Sequence, residues 1–387
     1  MTETADVLII GGGLHGLSTA LQLARRGASV ILLEKSRIGR HSSGASAAGV
    51  RTLNRARKEM PISLASMEMW HHIEDLVGDD CGFHSHGQLQ IAETEAELER
   101  IQARVGKLRR DGFSNEVVVD ATNLRDLVPA LAPHCLGGAF APRDGAADPH
   151  RTLAAFLRAA RAADVLIHEG VGVRRITHRD SVWRVDDGVS QFEAPMLVNA
   201  AGAWGGEIAA LAGDQIPLGL KCSMMLVTER IAPFIRPTLS SIARTLSFKQ
   251  TSQGTLLIGG GQQGRPDLAN ERAEVDARTL SKSAAAAVAL FPSVERLRIV
   301  RSWAGLEART RDDLAIIGLS PTRPSLLHLI GFSGHGFQLV PGTGVAAAEL
   351  LLDGRSQIDL SGLEPERLMG RNAAPDPIPA VEHSISE

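Results

Sequence analysis

The chain has 387 residues, of which 44% are hydrophobic and 22% charged, and it carries a formal net charge of −3. That length suits two domains, or one domain with a large insertion, and the balance of residues is that of an ordinary globular enzyme with no nucleic-acid or anionic-membrane partner. No apolar stretch reaches the roughly 18–20 residues that cross a bilayer, and Cys81, Cys135 and Cys222 form no CxxC pair that would imply a disulfide framework, a zinc site or an iron–sulfur site. A reducing cytoplasm is the expected setting, and no secretory leader is read at the N-terminus. Tyrosine is absent, so no phenol is available to the chemistry.

The first predicted elements organise the rest. Asp6 to Ile10 is a short apolar run, and Gly11-Gly12-Gly13-Leu14-His15-Gly16 follows it directly. Leu17 to Arg26 then has helical apolar spacing, and Ala28 to Leu33 is a second apolar run closing on Glu34. Strand, glycine turn, helix, strand and acid are the context that a dinucleotide-binding fingerprint requires. Gly11 permits the tight turn, Gly13 lets the backbone approach a pyrophosphate, and Gly16 lets helix and strand pack closely. The helix N-terminus faces the phosphates with its partial positive charge. Glu34 is placed to accept hydrogen bonds from an adenosine ribose. The fingerprint alone suits NAD as well as FAD.

Between Ser42 and Arg51 the chain holds two glycines, three serines and three alanines. Such small side chains let backbone lie flat against a ligand. Ile62 to Val77 reads as one amphipathic helix with Leu64, Met67, Trp70 and Ile73 on its core stripe. Gly87 to Ala92 is a predicted strand, and Thr94 to Arg110 a charged helix with acids early and bases late. Asp148 is the expected N-cap, with Pro149 at the first position, of a helix over Thr152 to Ala163. Strands are predicted at Val165–His168 and Val171–Ile176, and a hairpin around Asp186-Asp187-Gly188. Pro195 to Trp204 is a buried strand running into a glycine turn, followed by a helix over Gly206 to Ala212. Further strands fall at Gly219–Thr228, Thr245–Lys249, Thr255–Ile258, Leu297–Gly305 and Leu326–Gly331. A helix lies within Asn270–Leu290. Ser333-Gly334-His335-Gly336-Phe337-Gln338 opens the last strong helix, Thr343 to Leu352, and 371–387 reads as a loose tail.

Four stretches, Ile10–Glu34, Leu197–Trp204, Trp303–Gly318 and Gly331–Pro341, together resemble the D-amino-acid oxidase superfamily of FAD-dependent amine and amino-acid oxidoreductases. The glycine oxidase, sarcosine oxidase β and D-hydroxyproline dehydrogenase types belong to that group. The resemblance implies an α/β fold in which a Rossmann-like FAD-binding domain, split in sequence, carries a mixed-sheet α+β substrate cap. The FAD domain is expected over 1–84, 136–215 and 298–370, and the cap over 85–135 and 216–297. It implies that Gly11, Gly13, Leu14, His15, Gly16 and Glu34 hold the pyrophosphate and ribose of a non-covalent FAD. Lys35 and Val173 would then meet the adenine, and Ser42, Ser43 and Ser46 the phosphates and flavin. Ala201, Gly202 and Trp204 would close the diphosphate side. Gly334, His335, Gly336, Phe337 and Gln338 would set amides beneath the pyrimidine end of the flavin, where a helix N-terminus steadies negative charge.

The implied activity is oxidation of the C–N bond of a small amino or imino acid, with electrons passing to oxygen or a quinone-linked carrier. A 2-hydroxy-acid oxidoreductase and a flavoprotein subunit of a hetero-oligomer are the alternatives, and a homo-oligomer or a partner subunit is open. Departures from the family point to the substrate. Trp303-Ala304-Gly305-Leu306 is followed by Glu307, where relatives carry a carboxylate-binding arginine, and Gln338 stands where a lysine occurs. Arg51 is therefore the candidate carboxylate ligand. Glu307 is expected to meet a substrate ammonium or Arg309. His335 is weighed as a base and as an imidazole packed near the flavin. His84, His86, Gln262 and Gln263 are weaker candidates for the pocket.

Overall fold

Val7–Ile10 lies in the middle of a six-stranded sheet, because its four residues are apolar and it is covered on both faces. The order is Ile316–Leu319, Leu326–Ile330, Met196–Asn199, Val7–Ile10, Val30–Glu34, Leu166–Glu169. All pairs are parallel except the first, which is antiparallel. The structure, a computed structural model, describes residues 2–369, so the tail expected over 371–387 lies outside the described residues. The Gly11 turn has φ +117°, a value an L side chain resists, and a Cβ at Gly16 would overlap the Gly11 carbonyl oxygen.

The helix Leu14–Arg25 leads from that turn, packed between Pro149–Ala162 and the C-terminal helix Gly336–Asp353. The expected cap of the middle helix is present: the Asp148 carboxylate accepts from the N–H groups of His150 (2.9 Å) and Arg151 (2.8 Å). The last helix starts at Gly336 rather than Thr343, and its small residues let it approach its neighbours closely. A Cβ at Gly344 would overlap Ser18, and one at Gly342 would overlap Ser66.

The helix expected over Ile62–Val77 is two helices, Met60–His71 and Ile73–Val77. His72 leaves helical geometry (φ −122°, ψ 27°), which redirects the chain so that Ile73 and Val77 join the core around Trp70. Leu64 is only half-buried. Ser63 and Ser66 take the buried face instead, because that face meets the C-terminal helix through hydrogen bonds.

The second layer is an eight-stranded mixed sheet, ordered Ile299–Arg309, Gly219–Arg230, Thr255–Gly259, Ser247–Gln250, Thr238–Ser241, Gln88–Ala92, Gly137–Ala141, Val117–Asp120. Only Thr238–Ser241 with Gln88–Ala92 is parallel. Ala277–Leu290 supplies buried side chains to the core of this sheet, and Glu95–Arg110 packs over Leu53 and the strand residues Ala92 and Ala139. Two of its strands, Gly137–Ala141 and Ile299–Arg309, fall within the segments expected to belong to the FAD domain. Backbone pairing draws them into this sheet, and Ile299–Arg309 runs on to Arg309, well beyond the expected Gly305. A small sheet of Thr2–Thr4, Gln191–Ala194, Val182–Asp186 and Arg175–Arg179 flanks the first. The strand expected at Val171–Ile176 begins only at Arg175, and 171–174 is loop beside Glu34, whose carbonyl accepts from the Val171 N–H at 2.9 Å. Among the described residues no helix is long and apolar enough to cross a membrane.

Candidate active site

One cavity of about 2640 Å³ joins the fingerprint turn to the start of the C-terminal helix. At one end lie Glu34, Lys35, Val173 and Trp204, then Gly11, Gly13, Leu14, His15, Ser42, Ser43, Ser46, Ala201 and Gly202. At the other lie Arg51, Glu307, Gly334, His335, Gly336 and Phe337. Of the cofactor and substrate residues singled out in the sequence, Gly16 and Gln338 stand outside the lining, as do the weaker candidates His84, His86, Gln262 and Gln263. Gly16 is spent on the close approach to Gly11.

At the fingerprint end Glu34, the serines and Lys35 already have protein partners. The Glu34 carboxylate accepts from the N–H groups of Gly12 and Ser36, both at 2.8 Å, and burial pushes its pKa up. Ser43 Oγ accepts from the Leu14 N–H at 3.0 Å, which sets a hydroxyl on the first turn of the helix. Ser46 Oγ accepts from the Ala48 N–H at 2.9 Å, and the Ser42 hydroxyl donates to the Leu306 carbonyl. Lys35 Nζ sits 3.0 Å over the Trp204 ring and 2.9 Å from Glu271. His15 stacks on Phe332 at 3.6 Å, and burial drives its pKa down to about 3.

The helix-start end is built on Gly334, whose φ of +91° turns the chain and directs its N–H to Glu307 Oε1 at 2.6 Å. Burial raises the Glu307 pKa, and Lys221, its cross-strand neighbour, offsets part of that rise. Lys221 donates to the Ser333 carbonyl at 3.0 Å and lines the cavity too. Arg309, the expected partner of Glu307, is held by both oxygens of Asp313 at 2.7 and 2.8 Å. Glu307 is thus committed to the Gly334 turn and to the cavity.

Arg51 donates through Nη1 to the carbonyls of Leu53 (2.5 Å) and Asn54 (3.4 Å). Among the described residues its other guanidinium nitrogens have no protein partner, which leaves one edge toward the cavity. Arg55, not singled out in the sequence, lies beside it. Its Nε donates to the Arg51 carbonyl at 3.2 Å, and its Nη2 to the His335 carbonyl and Gln338 Oε1, both at 3.1 Å. Arg55 Nη1 is 3.7 Å from Glu59 Oε2, and His335 Nδ1 is 3.4 Å from the same oxygen. Burial and the neighbouring Arg51 lower the Arg55 pKa to about 9, and burial takes His335 to about 4, so its imidazole is neutral near neutral pH.

Gln338, expected under the flavin, points the other way. Its Oε1 accepts from Arg55 and Ser63, and its Nε2 donates to the Ser63 carbonyl at 2.7 Å. The first turn of the helix places Gln338 on the face buried against Met60–His71, and so its side chain fixes Arg55 rather than the cavity floor. His84 and His86 stack on each other at 4.6 Å outside the lining. Gln263 accepts from the Cys222 N–H at 2.6 Å and serves the backbone, and Gln262 is likewise outside. The one trace of Arg55 in the sequence is its i,i+4 spacing to Glu59; Lys221 left none, because a cross-strand neighbour is invisible before the register is known.

A bound FAD fits these residues. A glycine turn and a helix N-terminus meet a pyrophosphate, Gly202 (φ +55°) has open space where a Cβ would stand, and His15 Nδ1 is buried without a partner. The comparisons agree. Residues 6–350 match the family described as FAD dependent oxidoreductase. The chain is 28% identical to sarcosine oxidase subunit beta of Rhizobium meliloti, over 91% of this chain and 85% of that protein. It is 28% identical to glycine oxidase of Geobacillus kaustophilus, over 96% and 99%. It spans less than half of rat mitochondrial dimethylglycine dehydrogenase, with 25% identity over 94% of this chain and 45% of that one. The crystal structure of L-proline dehydrogenase from P. horikoshii superposes with a TM-score of 0.88 at 25% identity, over 95% of this chain and 98% of that one.

Proposed function

The chain belongs to the FAD dependent oxidoreductase family, and from that membership we propose that it oxidises the C–N bond of a small amino or imino acid. The D-amino-acid, D-proline or hydroxy-D-proline, sarcosine and glycine types define the substrate range. The observation that carries this reading is the shared cavity: the free edge of Arg51 and the Glu307 carboxylate open into the same space as the Gly334–Phe337 turn.

The Gly11–Gly16 turn, Ser43, Ala201 and Gly202 hold the pyrophosphate of a non-covalent FAD, Glu34 its ribose, and Lys35, Val173 and Trp204 surround the adenine. The three cysteines are buried and outside the cavity, which supports non-covalent attachment. Bound FAD supplies a two-electron acceptor for the hydride leaving the carbon beside the nitrogen. Arg51 holds the substrate carboxylate by charge-assisted hydrogen bonds, and Arg55, fixed by Gln338, backs it. Glu307 accepts from the substrate N–H and so orients the C–H bond. The neutral His335 adds no charge near that bond. With the amine nitrogen unprotonated, hydride loss turns the C–N single bond into C=N as an iminium, its N–H proton passes to water, and water hydrolyses the imine afterwards. Placement of the reacting carbon by Arg51 and Glu307 accounts for most of the rate.

A second reading is favoured by two observations: a relative is named as a subunit, and the edge strand of the eight-stranded sheet exposes Ile299 and Val300. On that reading the chain is the flavoprotein subunit of a larger amino-acid dehydrogenase, passing electrons to a quinone-linked carrier rather than to oxygen. Anaerobic mixing of the FAD-loaded protein with D- and L-amino acids, N-methyl amino acids and 2-hydroxy acids tests the class. Bleaching by nitrogen compounds alone agrees with the proposal, and bleaching by hydroxy acids alone replaces it with the 2-hydroxy-acid alternative.

A further inference from the structure

The helix Glu95–Arg110 carries three acids and five bases, and four of the bases share a face. Arg100, Arg104, Lys107 and Arg110 recur at spacings of four, three and three, which is one stripe of an α-helix. That stripe is turned to the cavity: all four residues line it, together with Arg57 and Lys58 at the mouth. Arg57 is answered by Asp111 at 3.3 Å and Arg104 by Glu116 at 2.6 Å. Among the described residues Lys58, Arg100, Lys107 and Arg110 have no carboxylate within 4.0 Å, the salt-bridge limit.

Deeper in, the charges are layered. Arg51, Arg55 and Arg104 line the cavity, whereas the carboxylates that face them, Asp144, Glu59 and Glu116, do not. Each of those acids is fixed from behind by backbone. Asp144 accepts from the N–H groups of Thr52 and Leu53 at 2.8 Å, and Glu116 from that of Asn54 at 2.7 Å. Glu59 accepts weakly from the Ala315 N–H at 3.5 Å. Arg55 and Arg104 cannot turn away without leaving Glu59 and Glu116, and among the described residues Arg51 has no carboxylate within 4.0 Å, so guanidinium groups face the cavity from the mouth to the Gly334 turn. Arg55 Nη1 is buried with no hydrogen-bond partner. Of the lining acids, Asp312 is paired with Arg367 and Asp313 with Arg309, and Asp359 accepts from the Ser361 N–H at 2.9 Å. In a chain of net charge −3 this is a local field and not a reflection of the whole surface.

We propose that the site takes a net-anionic substrate, an amino or imino acid with a second carboxylate, and that the stripe of Glu95–Arg110 draws it in. This rests on the reading that the chain oxidises C–N bonds. One carboxylate meets Arg51 and the other faces the guanidinium wall, while the nitrogen is left to Glu307. A zwitterionic amino acid gains nothing from the outer stripe, since its net charge is zero.

The test compares the FAD-loaded protein with a triple variant, R100E/K107E/R110E, changed only at exposed positions. The second-order rate constant for anaerobic flavin bleaching is measured for aspartate and glutamate of both hands and for sarcosine, glycine and proline. The proposal expects the acidic compounds to be preferred, and expects that preference to fall about ten-fold in the variant, the low end of electrostatic steering. It also expects the preference to fall when ionic strength rises from about 0.01 to 0.1 M, which shortens the Debye length from about 30 to 10 Å. Calorimetry gives a readout without turnover: succinate binds more tightly than propionate, and the variant narrows the difference. Bleaching by the zwitterions with no preference for acidic compounds overturns this inference and leaves C–N oxidation standing. A preference insensitive to both salt and the variant overturns it as well. Failure of every nitrogen compound to bleach the flavin overturns the functional reading and this inference with it.

Discussion

Gln338 Oε1 and Arg55 Nη2 are 3.1 Å apart in a fully buried hydrogen bond that ties the C-terminal helix to the cavity wall. Arg55 in turn donates to the His335 carbonyl, so one side chain fixes both a guanidinium and the Gly334–Phe337 turn that lines the cavity.

Gln338→Leu keeps the volume and removes the acceptor. Arg55 Nη2 loses one of its two acceptors, and the Ser63 hydroxyl loses its partner. The expected cost is about 1–3 kcal/mol of stability, the scale of a buried polar group left unpaired, read by urea unfolding. FAD content is expected to persist because Gln338 does not line the cavity.

Arg51→Ala removes the free guanidinium edge. Binding of a carboxylated substrate or of an unreactive carboxylate weakens by about 1.5–3 kcal/mol, roughly 10- to 100-fold in Kd. Calorimetric titration of the FAD-loaded protein checks it, and an unchanged Kd removes Arg51 from the site.

Gly16→Val forces a side chain into the Gly11 carbonyl. The fingerprint turn and the helix N-terminus move apart, and the purified protein is expected to be colourless and to take up no FAD. Its far-UV spectrum is expected to stay close to that of the parent, since the change touches one turn.

Acid is expected to destabilise the protein between about pH 6.5 and 4. An ordinary histidine titrates near 6.5, whereas burial takes His335 to about 4 and His15 to about 3. Within that window the unfolded chain binds more protons, so stability is complete above pH 6.5 and is lost as pH falls. For His335 the nearby Arg51 and Arg55 oppose a proton and Glu59 favours one, with burial the largest cause. Asp144, raised to about 6 by burial, gives a smaller slope of opposite sign. His335→Gln keeps a donor toward Glu59 and is expected to make the acid loss shallower by about 1–3 kcal/mol across the window. Urea midpoints at pH 4.5 and 7 measure it.

The strand–turn–helix end of the cavity was legible because its geometry is local. Gly11 to Gly16 and Glu34 sit in one strand–turn–helix–strand unit, and period and turn residues are enough to place them. The other end, around Arg51 and Glu307, is assembled from segments hundreds of residues apart. Arg51 was visible because it closes a small-residue loop, but its neighbour Arg55 acquires a role only once Gln338, 283 positions later, is packed against it. Gln338 itself was misdirected for the same reason, since a motif gives its position on the helix and not the face that helix buries. Lys221 meets Glu307 only through strand register. The stripe on Glu95–Arg110 could be read as helical spacing, but not as the wall of a cavity.

The most direct test of the central claim is anaerobic flavin bleaching with one amino-acid substrate, protiated and then deuterated at the carbon bearing nitrogen. The account predicts that the yellow protein bleaches and that deuterium slows the bleaching, because the hydride leaves that carbon. A protein that binds no FAD, or a bound flavin that no amino or imino acid bleaches, contradicts it.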